Sequence, residues 1–124
     1  MRYYDRSGKP LDLLEWGQQL QDPHYKRVKV TKLWWGGIVS TVWLGLDHQW
    51  QPGGPPLIFE TMVFTWNGGD MGFQDRYTTC EHAEREHEEI VKRYQHPKYL
   101  MSAIRQSWDR SRLIRRWRRK GWGA

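Results

Sequence analysis

Two segments rich in β-branched and aromatic residues constrain the fold more than any other feature of this chain. Residues 38–46, IVSTVWLGL, and residues 57–66, LIFETMVFTW, have the length and composition of β-strands. Residues 26–35 precede them and have the alternating pattern of a partly exposed strand. Gly36-Gly37 supplies a hairpin turn between residues 26–35 and residues 38–46. The pattern predicts neighbouring antiparallel strands with a largely apolar third strand at the centre of a sheet.

Helical segments flank these strands. Residues 11–21 have apolar side chains at helical spacing, with Asp12 as the predicted N-cap. Residues 79–95 predict a second helix, capped by Thr78 or Thr79, and Thr78 with Glu81 fits a capping box. In this helix one face carries a small set of inward-facing residues, namely Ala83, His87, Ile90, Val91 and Tyr94.

Together the elements predict an α+β fold in which a small antiparallel sheet of three or four strands packs against helices. Arg76-Tyr77 is the predicted short fourth strand, and residues 51–56, QPGGPP, predict a loop. The aromatic residues of the strands are predicted to be core, namely Trp34, Trp35, Trp43, Phe59, Phe64 and Trp66. Trp50, beside the loop, is a candidate exposed contact for another protein.

Charge is distributed unevenly along the chain. Residues 1–96 carry 11 Lys and Arg against 13 Asp and Glu, a net charge of −2. Residues 97–124 carry nine Lys and Arg against Asp109 alone, a net charge of +8. Blocks of like charge often bind polyanions. The sequence therefore predicts an α+β body at 1–96 and a basic, Arg/Trp-rich helical tail at 97–124.

The tail is predicted to be an amphipathic helix over about residues 98–120 that binds nucleic acid. Its apolar side consists of Leu100, Met101, Ile104, Trp108 and Ser111. Guanidinium groups donate paired hydrogen bonds to phosphates, and indole rings stack on bases. The candidate nucleic-acid-binding residues are Arg105, Arg112, Arg115, Arg116, Trp117, Arg118, Arg119, Lys120 and Trp122. An anionic membrane surface, or an acidic patch on a host protein or on a second copy of this chain, are the alternative partners.

A second candidate site is a pocket formed by Asp47, His48, Glu60 and His87. If these residues converge, a carboxylate beside an imidazole could act as a base or hold a metal, as in a metal-assisted hydrolase. The helix lacks the second histidine of a zinc-protease motif, since Val91 stands at that position. We favour a buried, hydrogen-bonded His87 and a Glu60 paired with a cation or a strand neighbour. No catalytic residue, metal or cofactor is assigned.

Several short segments together carry a family resemblance. They are Tyr4-Asp5-Arg6-x-Gly8-x-Pro10, VSTVWLGLDH at 39–48, PLIFETMVF at 56–64, and Arg76-Tyr77-x-Thr79 before a helix with Ala83 and His87. With them, residues 3–94 resemble a group of small, uncharacterised proteins encoded by tailed bacteriophages. Where that group has a glycine before the helix histidine, this chain has Glu86. The resemblance implies a phage protein in the cytoplasm of the bacterial host, and by analogy a counter-defence factor, such as a CRISPR inhibitor, or a host regulator.

Other classes of protein are disfavoured by what the sequence lacks. A single cysteine, Cys80, cannot form a disulfide framework, and no apolar run is long enough to span a membrane. The N-terminus has no apolar segment typical of a signal peptide. We therefore expect a soluble, non-enzymatic binder of nucleic acid whose body docks on a host or phage protein. A self-associating structural or virion-associated protein is the remaining alternative.

Overall fold

The computed structural model describes residues 2–47 and 53–119, with residues 110–119 as backbone only. It has the predicted α+β architecture, built on a four-stranded antiparallel sheet. The strands of this sheet are β3 Arg27–Lys32, β4 Ile38–Trp43, β5 Phe59–Phe64 and β6 Asp70–Tyr77, and they pair in chain order. A separate two-stranded sheet pairs β1 Tyr3–Tyr4 with β2 Pro10–Leu11. The helices are α1 Leu13–Leu20, α2 Pro23–Lys26, α3 Cys80–Tyr94 and α4 Pro97–Arg119.

Side-chain caps set the starts of the helices. The Asp12 carboxylate accepts a hydrogen bond from the Glu15 amide at 2.8 Å, which confirms the predicted cap of α1. Thr79 caps α3 by accepting from the His82 amide, so the capping box predicted from Thr78 is wrong. The short helix α2 was not predicted. Its cap, Asp22, stands before a proline at the first helical position, an arrangement that favours a helix start.

The fourth strand, β6, is much longer than the predicted Arg76-Tyr77 extension. It runs for eight residues, because Met71 and Phe73 pack against the buried core while Asp70, Gly72 and Gln74 alternate with them on the other side. Gly72 has a φ of +84°, and the pairing of β6 with β5 shifts in register near this position. An edge strand with a bulge and many polar residues gives a weak apolar pattern.

The two sides of the four-stranded sheet differ in what they contact. Thr41 of β4 pairs with Thr61 of β5, and neighbouring residues in each strand point to opposite sides. We call the side that packs against α3 the covered face; it presents buried residues such as Val39, Trp43 and Val63. We call the opposite side the open face; its residues, Val42 among them, are exposed or only partly buried, apart from the buried Glu60.

The buried residues form two clusters on the covered face. The first comprises Leu33, Trp35, Val39, Val63, Ile90, Tyr94 and Ala103, and the second comprises Trp43, Ile58, Phe59, Tyr77 and Ala83. Residues of α1, α2 and the small sheet pack around the second cluster.

The core placement predicted for the aromatic residues is correct for three of them. Trp35, Trp43 and Phe59 are buried. It is wrong for Trp34 and Trp66, which lie in the turns at strand ends and are 60% and 45% exposed. Phe64 lies on the open face, and Trp50 is outside the described residues.

Candidate functional site

The predicted tail is helical and begins on the body. α4 extends from Pro97 to Arg119, close to the predicted 98–120. Its first turns pack against the first cluster through Tyr99, Leu100 and the fully buried Ala103. The Gln106 side chain donates to the backbone oxygen of Asp70 at 2.9 Å, which ties the helix to the start of β6. The first three turns of α4 are thus attached to the covered face.

The apolar side predicted for this helix is only partly its contact side, since Leu100 packs against the first cluster as predicted. Met101 and Trp108, taken from the apolar side of the predicted helix, are 57% and 65% exposed. The centre of the contact is the fully buried Ala103, which sequence reasoning missed because alanine gives a weak apolar signal. The spacing of Tyr99, Ala103 and Gln106 at helical intervals is the sequence pattern that could have revealed it.

The arginine positions follow a line along the helix away from the body. At 100° per residue, position 105 lies about 160° around the axis from Ala103. Positions 112, 116 and 119 fall within about 140–180° of Ala103 by the same geometry. The Arg105 side chain is exposed, as this placement requires. The line from 105 to 119 is about 21 Å long, at 1.5 Å rise per residue.

The other tail candidates have less structural detail. For six of them the structure describes only the backbone of α4, namely Arg112, Arg115, Arg116, Trp117, Arg118 and Arg119. Lys120 and Trp122 lie outside the described residues.

His87 of the predicted pocket is enclosed by threonines on the covered face. Its Nε2 lies 2.8 Å from the Thr31 hydroxyl oxygen, and its Nδ1 lies 2.7 Å from the Thr41 hydroxyl oxygen. Thr41 in turn lies 2.6 Å from the Thr61 hydroxyl oxygen. His87 is fully buried, as we predicted, and burial lowers its pKa. The nearby Glu88 carboxylate opposes this lowering of the pKa, and the Lys29 ammonium group adds to it.

Both ring nitrogens of His87 are therefore occupied by hydroxyl groups, and the ring has no path to a substrate in solution. A neutral imidazole donates from one nitrogen and accepts at the other, and threonine hydroxyls can serve either role. The arrangement connects α3 to the middle of the sheet, to β3 through Thr31 and to β4 through Thr41.

Glu60 lies on the other side of the sheet from His87. It is next to Thr61 in β5, so its side chain points to the open face. There it accepts hydrogen bonds from Gln74 at 2.7 Å and from Arg76 Nε at 3.1 Å. This pairing with a cation and a strand neighbour is the one favoured from the sequence. The structure does not bring Glu60 and His87 together.

Of the two remaining pocket candidates, Asp47 follows β4 by four residues. The Asp47 carboxylate accepts from the Leu57 amide at 3.3 Å, which joins the two sides of the loop between β4 and β5. His48 lies outside the described residues. In the part of the chain that the structure describes, no three His, Cys, Asp or Glu residues are grouped so that they could hold a metal ion.

Among residues 2–47 and 53–119, no helix combines the length and the apolar character that crossing a membrane requires. No protein-family model, no curated protein and no solved structure matches the chain.

Proposed function

We propose that this protein is a non-enzymatic nucleic-acid binder whose α4 helix contacts the phosphate backbone. The observation that carries the proposal is the charge division of −2 over residues 1–96 and +8 over residues 97–124. A concentrated positive block attracts a polyanion far more strongly than the same charge spread over a globule.

The helix geometry supports this proposal. A line of arginine positions about 21 Å long, opposite the side that Ala103 buries, is available to follow a phosphate backbone. Arginine keeps its charge and donates bidentate hydrogen bonds to phosphate oxygens. Trp117 offers an indole on which an unpaired base can stack.

The resemblance to small phage proteins suggests the setting in which such binding acts. A phage-encoded binder of nucleic acid in the host cytoplasm would act in counter-defence or in regulation of a host nucleic-acid machine. The body, against which the first turns of α4 pack, has other surfaces that a protein partner could contact.

The test is the affinity of the full chain for duplex DNA, single-stranded DNA and RNA, measured by fluorescence anisotropy at several salt concentrations. If about six cations contact phosphates, log K against log salt has a slope of roughly −5. The triple variant Arg112→Gln, Arg116→Gln and Arg119→Gln should reduce the steepness of this slope by about 3 and weaken binding to all sequences alike.

A matched control removes the same charge from exposed positions of the body, with Lys9→Gln, Arg85→Gln and Lys92→Gln. This control should bind as the wild type does. Substitution is preferable to deleting the whole tail, since deletion after His96 would remove the buried Ala103 and open the first cluster. Equal binding by the two triple variants, or stronger binding to anionic lipid vesicles than to any nucleic acid, would contradict the proposal.

A further inference from the structure

The open face carries a shallow groove with an apolar floor. Val30, Ile38, Val42 and Phe64 form this floor, and the groove has a volume of about 360 Å³. The four residues come from β3, β4 and β5, so the groove crosses the sheet. Val30 is 44% exposed although it is β-branched and sits within a strand. Contiguous apolar surface of this kind on a small protein commonly marks a binding site.

Positive charge borders this groove. Lys26 and Arg27 line it at the end where α2 leads into β3, and none of its described lining residues is acidic. The same face carries two acidic residues, and Glu60 is paired with Arg76. Asp70 lies opposite Phe64 in β6, at the sheet edge away from Lys26 and Arg27, and its carboxylate accepts from the Gly72 amide. The acidic side chains of the body are concentrated instead on α3, which carries Glu81, Glu84, Glu86, Glu88 and Glu89.

This charge disfavours two occupants that the chain itself could supply. A second copy docked face to face would bring Lys26 and Arg27 of each copy towards the same cations of the other. The basic tail of another copy would meet the same repulsion.

The shape and chemistry of the floor narrow the occupant further. The three strands that form the floor, each of about six residues, give a surface of roughly 20 Å by 15 Å, near 300 Å². That is well below the roughly 800 Å² which each partner of a typical globular complex buries, so the face suits a short segment. Nucleic-acid platforms stack bases on flat aromatic rings, whereas three of the four floor residues are branched aliphatics.

We propose that the open face docks a short acidic, amphipathic segment of a partner protein. Its apolar side chains occupy the floor of the groove, and its carboxylates pair with Lys26 and Arg27. This inference goes beyond the nucleic-acid contact proposed for α4 and does not depend on it.

The test uses the full chain and a fluorescein-labelled peptide that alternates Leu with Glu. A Ser/Glu peptide of equal charge and a Leu/Lys peptide serve as comparison probes, and binding is measured by anisotropy. The Leu/Glu peptide should bind at least about tenfold more tightly than either comparison probe, because only it satisfies both the floor and the cations. Val30→Glu should weaken its binding about tenfold or more.

Matched variants separate this site from the rest of the molecule. Leu14→Glu introduces a glutamate on α1, where Leu14 is 79% exposed, and should leave the affinity for the Leu/Glu peptide unchanged. Arg27→Glu alters only an exposed charge and should weaken binding even if Val30→Glu fails to fold. The tail variant Arg112→Gln, Arg116→Gln and Arg119→Gln should retain peptide binding, so a failure of the α4 proposal leaves this result intact.

Four results would overturn the proposal. Two concern the peptide: equal peptide affinity in Val30→Glu, Arg27→Glu and wild type, or loss of peptide binding in the tail variant. The other two are a dimer, seen by light scattering, that Val30→Glu dissociates, and a single-stranded oligonucleotide that Val30→Glu binds more weakly than the wild type does. The last two would assign the face to a second copy or to nucleic acid.

Discussion

The covered and open faces of the sheet are made by the same strands, yet they differ in burial and in what they contact. On the covered face, Val39, Trp43 and Val63 are completely buried, and polar groups such as Thr41 are hydrogen-bonded within the protein. On the open face, Val30 and Phe64 keep part of their surface in water, and the cations stand beside them. The covered face therefore contributes most of the buried core, whereas the open face keeps apolar surface in contact with water.

The largest expected effect comes from two phenylalanines of β5 that point to opposite faces. Phe59→Ala should lower the free energy of unfolding by about 3–5 kcal/mol, because a fully buried ring leaves a cavity. Phe64→Ala should lower it by only about 1–2 kcal/mol, because that ring is already partly hydrated. Urea denaturation of both variants measures the difference, and equal losses would break the contrast between the faces.

A smaller effect is expected from hydroxyl groups in β4. Thr41→Val keeps the shape of the side chain but leaves His87 Nδ1 and the Thr61 hydroxyl without this partner. The loss should be about 1–3 kcal/mol in the free energy of unfolding. Ser40→Ala, the neighbouring position on the open face, should change it by less than about 0.5 kcal/mol. If Thr41→Val left the free energy of unfolding unchanged, the hydrogen bonds around His87 would not contribute to the difference between the covered and open faces.

The smallest effect is a dependence on pH. Because burial lowers the pKa of His87 in the folded protein, the unfolded chain binds the extra proton first as pH falls. The contribution of His87 to the free energy of unfolding should therefore be fully present above the unfolded pKa of about 6.5. Below that pH it should decline, by at most about 1.4 kcal/mol per pH unit. The decline ends once the pH is below the folded pKa as well.

His87→Gln should flatten this decline in denaturation curves between neutrality and mild acid, whereas His24→Gln, at an exposed position, should preserve it. If His87→Gln does not fold, an NMR titration of the wild-type ring reports the same quantity. A His87 ring that titrates at or above its ordinary pKa would contradict the prediction.

Sequence pattern was sufficient for some parts of this molecule and insufficient for others. β4 and β5 were predictable because their residues are β-branched or aromatic over a strand's length. The length of β6 was not, since Asp70, Gln74 and Asp75 dilute its apolar alternation. Trp34 and Trp66 were misplaced because composition alone does not distinguish a strand from the turn that follows it.

The candidate sites divide in a similar way. The helical tail and its charge could be read directly from residues 97–124. The separation of Glu60 from His87 could not, because it depends on which side of β5 faces α3, and the pattern of β5 is apolar on both sides. The open-face groove was likewise invisible, since it joins residues of three strands with the end of α2.

The chain-order pairing of β3 to β6 bears on how the protein folds during its synthesis. Each strand pairs with the one made just before it, so the sheet can assemble once Tyr77 has left the ribosome. At that moment α1 and α2 can already pack around the second cluster, but Val39 and Val63 of the first cluster lack the helices that bury them. The nascent chain therefore exposes apolar surface of the kind that chaperones bind until Ile90 and Tyr94 of α3, and then Ala103 of α4, emerge to cover it.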